Sequence, residues 1–315
     1  MPSDGNAAKP TLFLKREPGM IYTLNHLEGD EFIITTNLNA INYRLAKTKI
    51  NQPATANWKD IIPHNPKILL EDVSFTKEFM IVAEKENAQE RVKITNLKTG
   101  ETEVLNPGLD LYEISFGFVD YDYYKSSEIE FSYSNMVSPS KTYYYNLLSK
   151  EKKIIEEDTI LGSFKSANYE TKRIYAPARD GASVPITLVY KKGLSLNGNN
   201  PCLLYSYGSY GAPNDAGFST NTLSYIDRGF VYALAHIRGS NDLGNQWYED
   251  GKLFHKKNTF TDFIDCAEYL VAQGYTNKNR LAINGGSAGG LLMGAVTNMR
   301  PDLFKCVVAN VPFVD

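Results

Sequence analysis

The stretch "LAINGGSAGGLLMGAV", Leu281 to Val296, joins an apolar run, a cluster of glycines around one serine, and an apolar pattern at helical spacing. Three kinds of turn compete for it. A dinucleotide fingerprint needs glycines at i, i+2 and i+5, but Ser287 stands at i+2 from Gly285. A phosphate-cradling Walker loop ends in Gly-Lys-Ser/Thr, and no lysine is present here. The third is G-x-S-x-G between a strand and a helix. In that turn, side chains two residues before and after the serine would collide with the neighbouring strand and helix, so both positions are glycine. The serine takes a strained backbone angle that lifts its hydroxyl to the end of the sheet. Ser287 is then a nucleophile at a helix N-terminus, whose free N–H groups favour negative charge. The N–H of Ala288 would face the oxyanion of an acyl-transfer intermediate. A close-packing turn without chemistry is the competing reading.

Around this turn, from about Leu161 onward, strands alternate with helices. "YETKRIYAPARDGASVPITLVYKK" reads as a hairpin about Asp180-Gly181. "CLLYSYG", "FVYALAHI", "RLAING" and "CVVANVPFV" read as buried strands. Between them come "STNTLSYIDRG", a short helix closed by Gly229, a helix over 259–274, and a helix from Ala288 to Met299. The middle helix lines up Phe260, Phe263, Ile264, Ala267, Leu270 and Val271, with Thr259 and Asp262 as a capping pair and Gly274 as its stop. Repeated β-α-β units predict a mostly parallel twisted sheet covered on both faces.

Residues 11 to about 160 follow a different grammar. "EFIITT", "FMIVAEK" and "RVKITNL" alternate, or nearly alternate, apolar and polar side chains, as half-buried strands do. Tyrosines gather in "YEISFGFVDYDYY" and "TYYYNLL", as suits pleated, semi-exposed surfaces. No segment has a helical period and no exact repeat appears; a sandwich and propeller blades both fit.

Composition narrows the function classes. A chain of 315 residues suits two domains, and a net charge of -3 gives no footprint for nucleic acid or an anionic membrane. No apolar run approaches the ~20 residues that span a bilayer, and the opening "MPSDGNAAKP" lacks the basic flank and apolar core of a secretory signal. Cys202, Cys266 and Cys306 read as buried free thiols of a reducing compartment, which makes a cytoplasmic address the expectation. His26, His64, His236 and His255 lack metal-ligand spacing, so neither a metal nor a cofactor is expected.

The segments "YSYGSYGAP", "DRGFVYALAHIRGSNDLGNQWYEDGKLFHKKNTFTDFIDCAEYLVAQGY" and "NGGSAGGLLMGAVTNMRPDLFKCVVANVPFVD" resemble the prolyl oligopeptidase family of serine peptidases, most of all its oligopeptidase B branch. The resemblance is dense from about Asn168 to Asp315. It implies a β-propeller joined to an α/β-hydrolase domain: residues 1–160 would be late propeller blades, and 161–315 the first part of the peptidase domain. It implies an acyl-enzyme mechanism on short peptides, with cleavage after Arg or Lys. A prolyl-specific peptidase, an esterase on the same scaffold, and a propeller binding module without catalysis are the alternatives.

The resemblance also assigns roles. Ser287 matches the nucleophile, and Tyr207 the tyrosine whose phenol donates to the oxyanion; a phenol stays protonated at neutral pH. Asp215 matches an acidic substrate-positioning loop, but Gly217 replaces a second acid there. The loop from Arg238 to Gly244 carries Asn241 where the family has a run of glycines, and asparagine tolerates left-handed backbone. Arg238 is read as a structural anchor. α/β-Hydrolases order their triad as Ser, then Asp or Glu, then His. All four histidines precede Ser287, and neither Asp302 nor Asp315 is followed by one. His236 is therefore read as structural. The triad acid and base are expected beyond this chain, which would be cut at both ends and inactive by itself. Its strand-rich half suffices for only three or four blades at ~40–50 residues each. The oligomeric state is not encoded in any pattern found.

Overall fold

A computed structural model describes residues 11–26, 29–119, 123–162 and 164–313. The first ten residues, read above for a signal, and Asp315 lie outside these. Among the described residues, those from 22 to 157 form three four-stranded antiparallel sheets. The first holds β1 (Tyr22–His26), β2 (Glu31–Thr36), β3 (Arg44–Lys49) and β4 (Lys59–Ile62). The second holds β5 (Ile68–Phe75), β6 (Phe79–Glu86), β7 (Gln89–Asn96) and β8 (Thr102–Val104), and the third β9 (Tyr112–Phe118), β10 (Glu128–Asn135), β11 (Ser138–Asn146) and β12 (Lys152–Glu157). Strands are hydrogen-bonded in sequence order within each sheet, as in a blade built from successive hairpins.

The blades pack through their faces. Ile33 and Leu45 of the first share a cluster with Leu70, Val73, Phe75, Met80 and Val82 of the second. Phe79, Ile81, Val92 and Ile94 of the second share another with Ile114, Ile129, Phe131, Tyr143 and Tyr145 of the third. The alternating sequence thus buries one side chain in two against the adjacent blade. Tyr143 and Tyr145 are more deeply buried than a semi-exposed surface implies. Tyr143 stacks on Phe131 at 5.2 Å, and the Tyr145 hydroxyl reaches out to donate to Glu103.

The second half is a six-stranded mixed sheet. It contains β13 (Tyr169–Pro177), β14 (Ser183–Lys191), β15 (Cys202–Tyr205), β16 (Val231–Ala235), β17 (Leu281–Gly286) and β18 (Cys306–Asn310), in the order β13-β14-β16-β15-β17-β18. The first two strands form the hairpin seen in the sequence; β16, β15, β17 and β18 run parallel. Four helices accompany them among the described residues: α1 (Thr220–Ile226), α2 (Asn245–Glu249), α3 (Lys256–Ala272) and α4 (Ala288–Met299). Phe263, Ile264, Ala267 and Leu270 of α3 pack with Leu292, Met293 and Val296 of α4 against the fully buried Leu204, Ala233, Leu281 and Ile283. From β15 the chain passes to β16 on one side and then crosses to β17 on the other. Open α/β sheets bind ligands at the strand ends beside such a reversal.

Three local expectations need correction. Helix α3 starts at Lys256, not Thr259, and Thr259 and Asp262 do not cap it. The Thr259 hydroxyl donates to the Gly251 carbonyl and Asp262 binds Arg238, so tertiary partners claim both side chains. In the Arg238–Gly244 loop, left-handed backbone falls on Gly239 (φ 98) and Gly244 (φ 95), so Asn241 has no need of it. Cys202 and Cys266 are buried free thiols, but Cys306 is exposed, because it lies on the edge strand β18.

Candidate active site

Ser287 lies between the end of β17 and the start of α4, with φ 53 and ψ -114. A non-glycine residue there is strained and must be held by its surroundings. Here the Ser287 N–H donates to the Asn310 carbonyl of β18 at 2.9 Å, and the Ser287 carbonyl accepts from Gly290 at 2.9 Å. The flanking glycines have the steric roles that the motif requires. A Cβ on Gly285 would overlap the Gly289 carbonyl, and one on Gly289 would come within 3.0 Å of the Ser206 carbonyl and 3.5 Å of Tyr207. Ser287 is exposed, whereas Ala288, directly behind it at the first position of α4, is buried. The N–H groups of a helix's first turn lack intrahelical acceptors.

Tyr207 follows the end of β15, the strand beside β17, and its ring edge packs on the first turn of α4 at Gly289. The structure therefore brings Ser287, Ala288 and Tyr207 to one place. Tyr210 is 72% exposed, with its ring centroid 6.5 Å from that of Tyr207. Two residues that the sequence reading missed hold Tyr207. Its N–H donates to Asn214 Oδ1 at 3.1 Å, and Asn214 Nδ2 donates to Asp242 Oδ2 at 3.0 Å. Asp242 is fully buried. Burial pushes its carboxyl up, but His236, Asn214 and Ser240 outweigh that and hold it at about 2. Neither residue has a local sequence signature: Asn214 closes its own loop on Tyr207, and Asp242 reaches it from a loop 28 residues on.

His236 and Arg238 are built into the scaffold. His236 is buried, with Nε2 2.8 Å from Thr187 Oγ1 and Nδ1 3.2 Å from Asp242 Oδ2. Arg238 binds the buried Asp262 through Nε and Nη2, binds Asp180 through Nη1, and lies over the Trp247 ring.

The blades dock beside the strand ends. The Asn87-Ala88 turn between β6 and β7 has φ 52 and φ 56, a hairpin geometry that usually calls for glycine. Ala88 is held there by donating to the Asp242 carbonyl (2.9 Å) and accepting from Arg173 (2.8 Å). Asn245, at the start of α2, donates to Asn42 Oδ1 and to the Ile41 carbonyl of the first blade.

Asp215 remains exposed at the lip between blades and sheet. Partial burial raises its carboxyl pKa against the pull of Lys85, with Asp242 and Glu71 adding to the push. Beside it Glu113 of β9 is raised to about 8, by burial first and then by Asp215 and Glu90. Its Oε1 is buried without a hydrogen-bond partner, while Oε2 stands 2.5 Å from where a Cβ on Gly217 would begin. The blade thus places a carboxyl group beside Gly217 of the loop. Lys85, buried and paired with Glu71 at 2.9 Å, is the nearby cation. A cleft of about 330 Å³ opens here, lined by Glu90, Glu113, Ser115, Tyr133 and Asp215 among others.

With this geometry in place, comparison with known proteins is specific. The profile of the prolyl oligopeptidase family matches residues 216–315, and that of its N-terminal β-propeller domain matches residues 2–158. Dipeptidyl aminopeptidase BI from Pseudoxanthomonas mexicana is 40% identical over 98% of this chain and 43% of its own length. Protease 2 from Moraxella lacunata is 34% identical over 96% of the chain and 43% of its own length. The structure of oligopeptidase B from Trypanosoma brucei, in a closed form with covalently bound antipain, superposes with a TM-score of 0.90 at 38% identity, covering 96% of this chain and 44% of that one. The chain spans less than half the length of these relatives. Among the described residues, no helix is long and apolar enough to cross a membrane.

Proposed function

Because the chain belongs to the prolyl oligopeptidase family of serine peptidases, we propose that it carries the nucleophile and oxyanion site of an oligopeptidase that cleaves short peptides after Arg or Lys. Ser287 Oγ attacks the scissile carbonyl carbon while its proton passes to a base. The oxyanion that forms is met by the Tyr207 phenol and the Ala288 N–H. The tetrahedral intermediate then collapses, breaking the C–N bond as the leaving amine takes a proton. Water releases the acid by the same path. The observation that carries this reading is the strained, exposed Ser287 beside Tyr207, at the ends of adjacent parallel strands.

Asp215 and Glu113 support specificity for basic peptides, since two acidic groups, Glu113 once ionised, suit a guanidinium or ammonium group. They would take a second basic residue of the substrate. Blades docked beside the strand ends favour short chains over folded proteins. Two buried free thiols fit a reducing compartment such as the cytoplasm. Similarity to a protein named dipeptidyl aminopeptidase favours a second reading, release of dipeptides from an N-terminus. The test is a substrate panel on the chain extended to the length of its relatives: an Arg ester, a Pro amide, a short acyl ester and an unblocked dipeptidyl amide. Preference for the blocked Arg substrate is expected; preference for any other arm replaces the specificity reading.

A further inference from the structure

Lys256 opens α3, the end of a helix that least favours a cation. Partial burial lowers its ammonium to about 8, and no carboxylate among the described residues offsets that cost. Its Nζ donates to the Gly208 carbonyl at 2.6 Å and the Ser209 hydroxyl at 2.7 Å, with the Phe260 ring 5.9 Å away. Such an unfavourable placement calls for a compensating role, and both acceptors belong to the two residues that follow Tyr207.

We propose that Lys256 is a positioning residue for the oxyanion tyrosine: it anchors the Gly208-Ser209 peptide and thereby holds the Tyr207 phenol over the start of α4. This rests on the reading of Tyr207 as an oxyanion donor. The surroundings leave that peptide one orientation. Gly208 has φ 67, and a Cβ there would strike Thr259 and Ile237; a Cβ on Gly239 would overlap the Gly208 carbonyl. Tyr207 is fixed on its N-terminal side by Asn214, on its ring by Gly289, and on its C-terminal side by Lys256. Removing the last restraint leaves a buried carbonyl with no other described donor and frees the phenol to shift. Misplacement of a catalytic group by about 1 Å can cost ~10²-fold in rate.

A double-mutant cycle in the chain extended to the length of its relatives tests this. Lys256→Met should lower kcat about 10- to 100-fold with KM within about twofold. In a Tyr207→Phe background the same substitution should cost less than about threefold, because the group it positions is gone. Lys256→Arg, which keeps charged donors, should recover part of the loss. An equal cost in both backgrounds, or an effect confined to KM, overturns the role of Lys256. A silent Tyr207→Phe overturns the oxyanion reading itself, and this inference with it. If circular dichroism shows that Lys256→Met does not fold, Lys256→Gln takes its place in the cycle under the same criteria.

Discussion

The carboxylate of Glu113, on the third blade, occupies the space that a side chain at position 217 would enter: its Oε2 lies 2.5 Å from a Cβ placed on Gly217. Acidity at the lip of the cleft is therefore shared between two structural units. Either residue can be tested alone. Asp215→Asn, and at pH 9, where Glu113 is ionised, Glu113→Gln, should each raise KM for a substrate with two basic residues about tenfold, the scale of one charged hydrogen bond. A substrate with a single basic residue should change little. Equal losses on both substrates would remove the pair from the binding site.

The raised pKa of Glu113 gives a pH signature. Near pH 7 the carboxyl is mostly protonated, because its pKa stands at about 8 against an ordinary 4.5. Only the ionised form pairs with a cation. KM for the dibasic substrate should fall as pH rises from 7 to 9, and this trend should vanish in Glu113→Gln. Stability runs the other way. A carboxyl raised in the folded state binds its proton more tightly than in the unfolded chain, so stability is lost as pH rises from the unfolded value through about 8. Glu113→Gln should therefore melt higher than the parent at pH 9 and show little advantage at pH 4.

On the proposed reading Tyr207→Phe removes one oxyanion donor, a change that typically costs ~10²–10³ in kcat with little effect on ground-state binding. Steady-state kinetics on an Arg ester should show that split. Tyr210→Phe is the control: that side chain is 72% exposed. A change in KM alone would make Tyr207 a substrate contact rather than an oxyanion donor.

The serine turn can be probed without activity. Gly285→Ala places a methyl on the Gly289 backbone and should destabilise by roughly 1–3 kcal/mol or more, as overpacking does. Gly294, exposed on α4 with nothing within 4 Å of its would-be Cβ, is the counterpart. Gly294→Ala should stabilise by about 0.5–1 kcal/mol through helix propensity. Chemical denaturation measures both; a neutral Gly285→Ala would contradict the close packing of the turn.

What could be read from the sequence follows the range of the forces involved. The turn at Ser287 and the Asp180-Gly181 hairpin are local, so their residue types sit at fixed offsets. Inner blade strands such as β7 and β10 declare themselves by alternation, because Val92 and Ile94, and Ile129 and Phe131, are buried between less buried neighbours. The start of α3 departs from its capping pattern because Thr259 and Asp262 have capping chemistry but longer-range partners, Gly251 and Arg238, win them. The contacts of Asp242 with Asn214, Lys256 with Gly208, and Glu113 with the Gly217 loop have no local pattern at all. They exist only once the strand ends and blades converge.

The role proposed for Ser287 as the nucleophile of an acyl-transfer site is tested most directly by turnover of Ser287→Ala in the chain extended to the length of its relatives. A loss on the order of 10⁶ in kcat on an Arg ester is expected, together with loss of covalent labelling by a fluorophosphonate that maps to Ser287 in the parent. Retention of more than about a hundredth of parental kcat, far above the residue left when a nucleophile is removed, would contradict it.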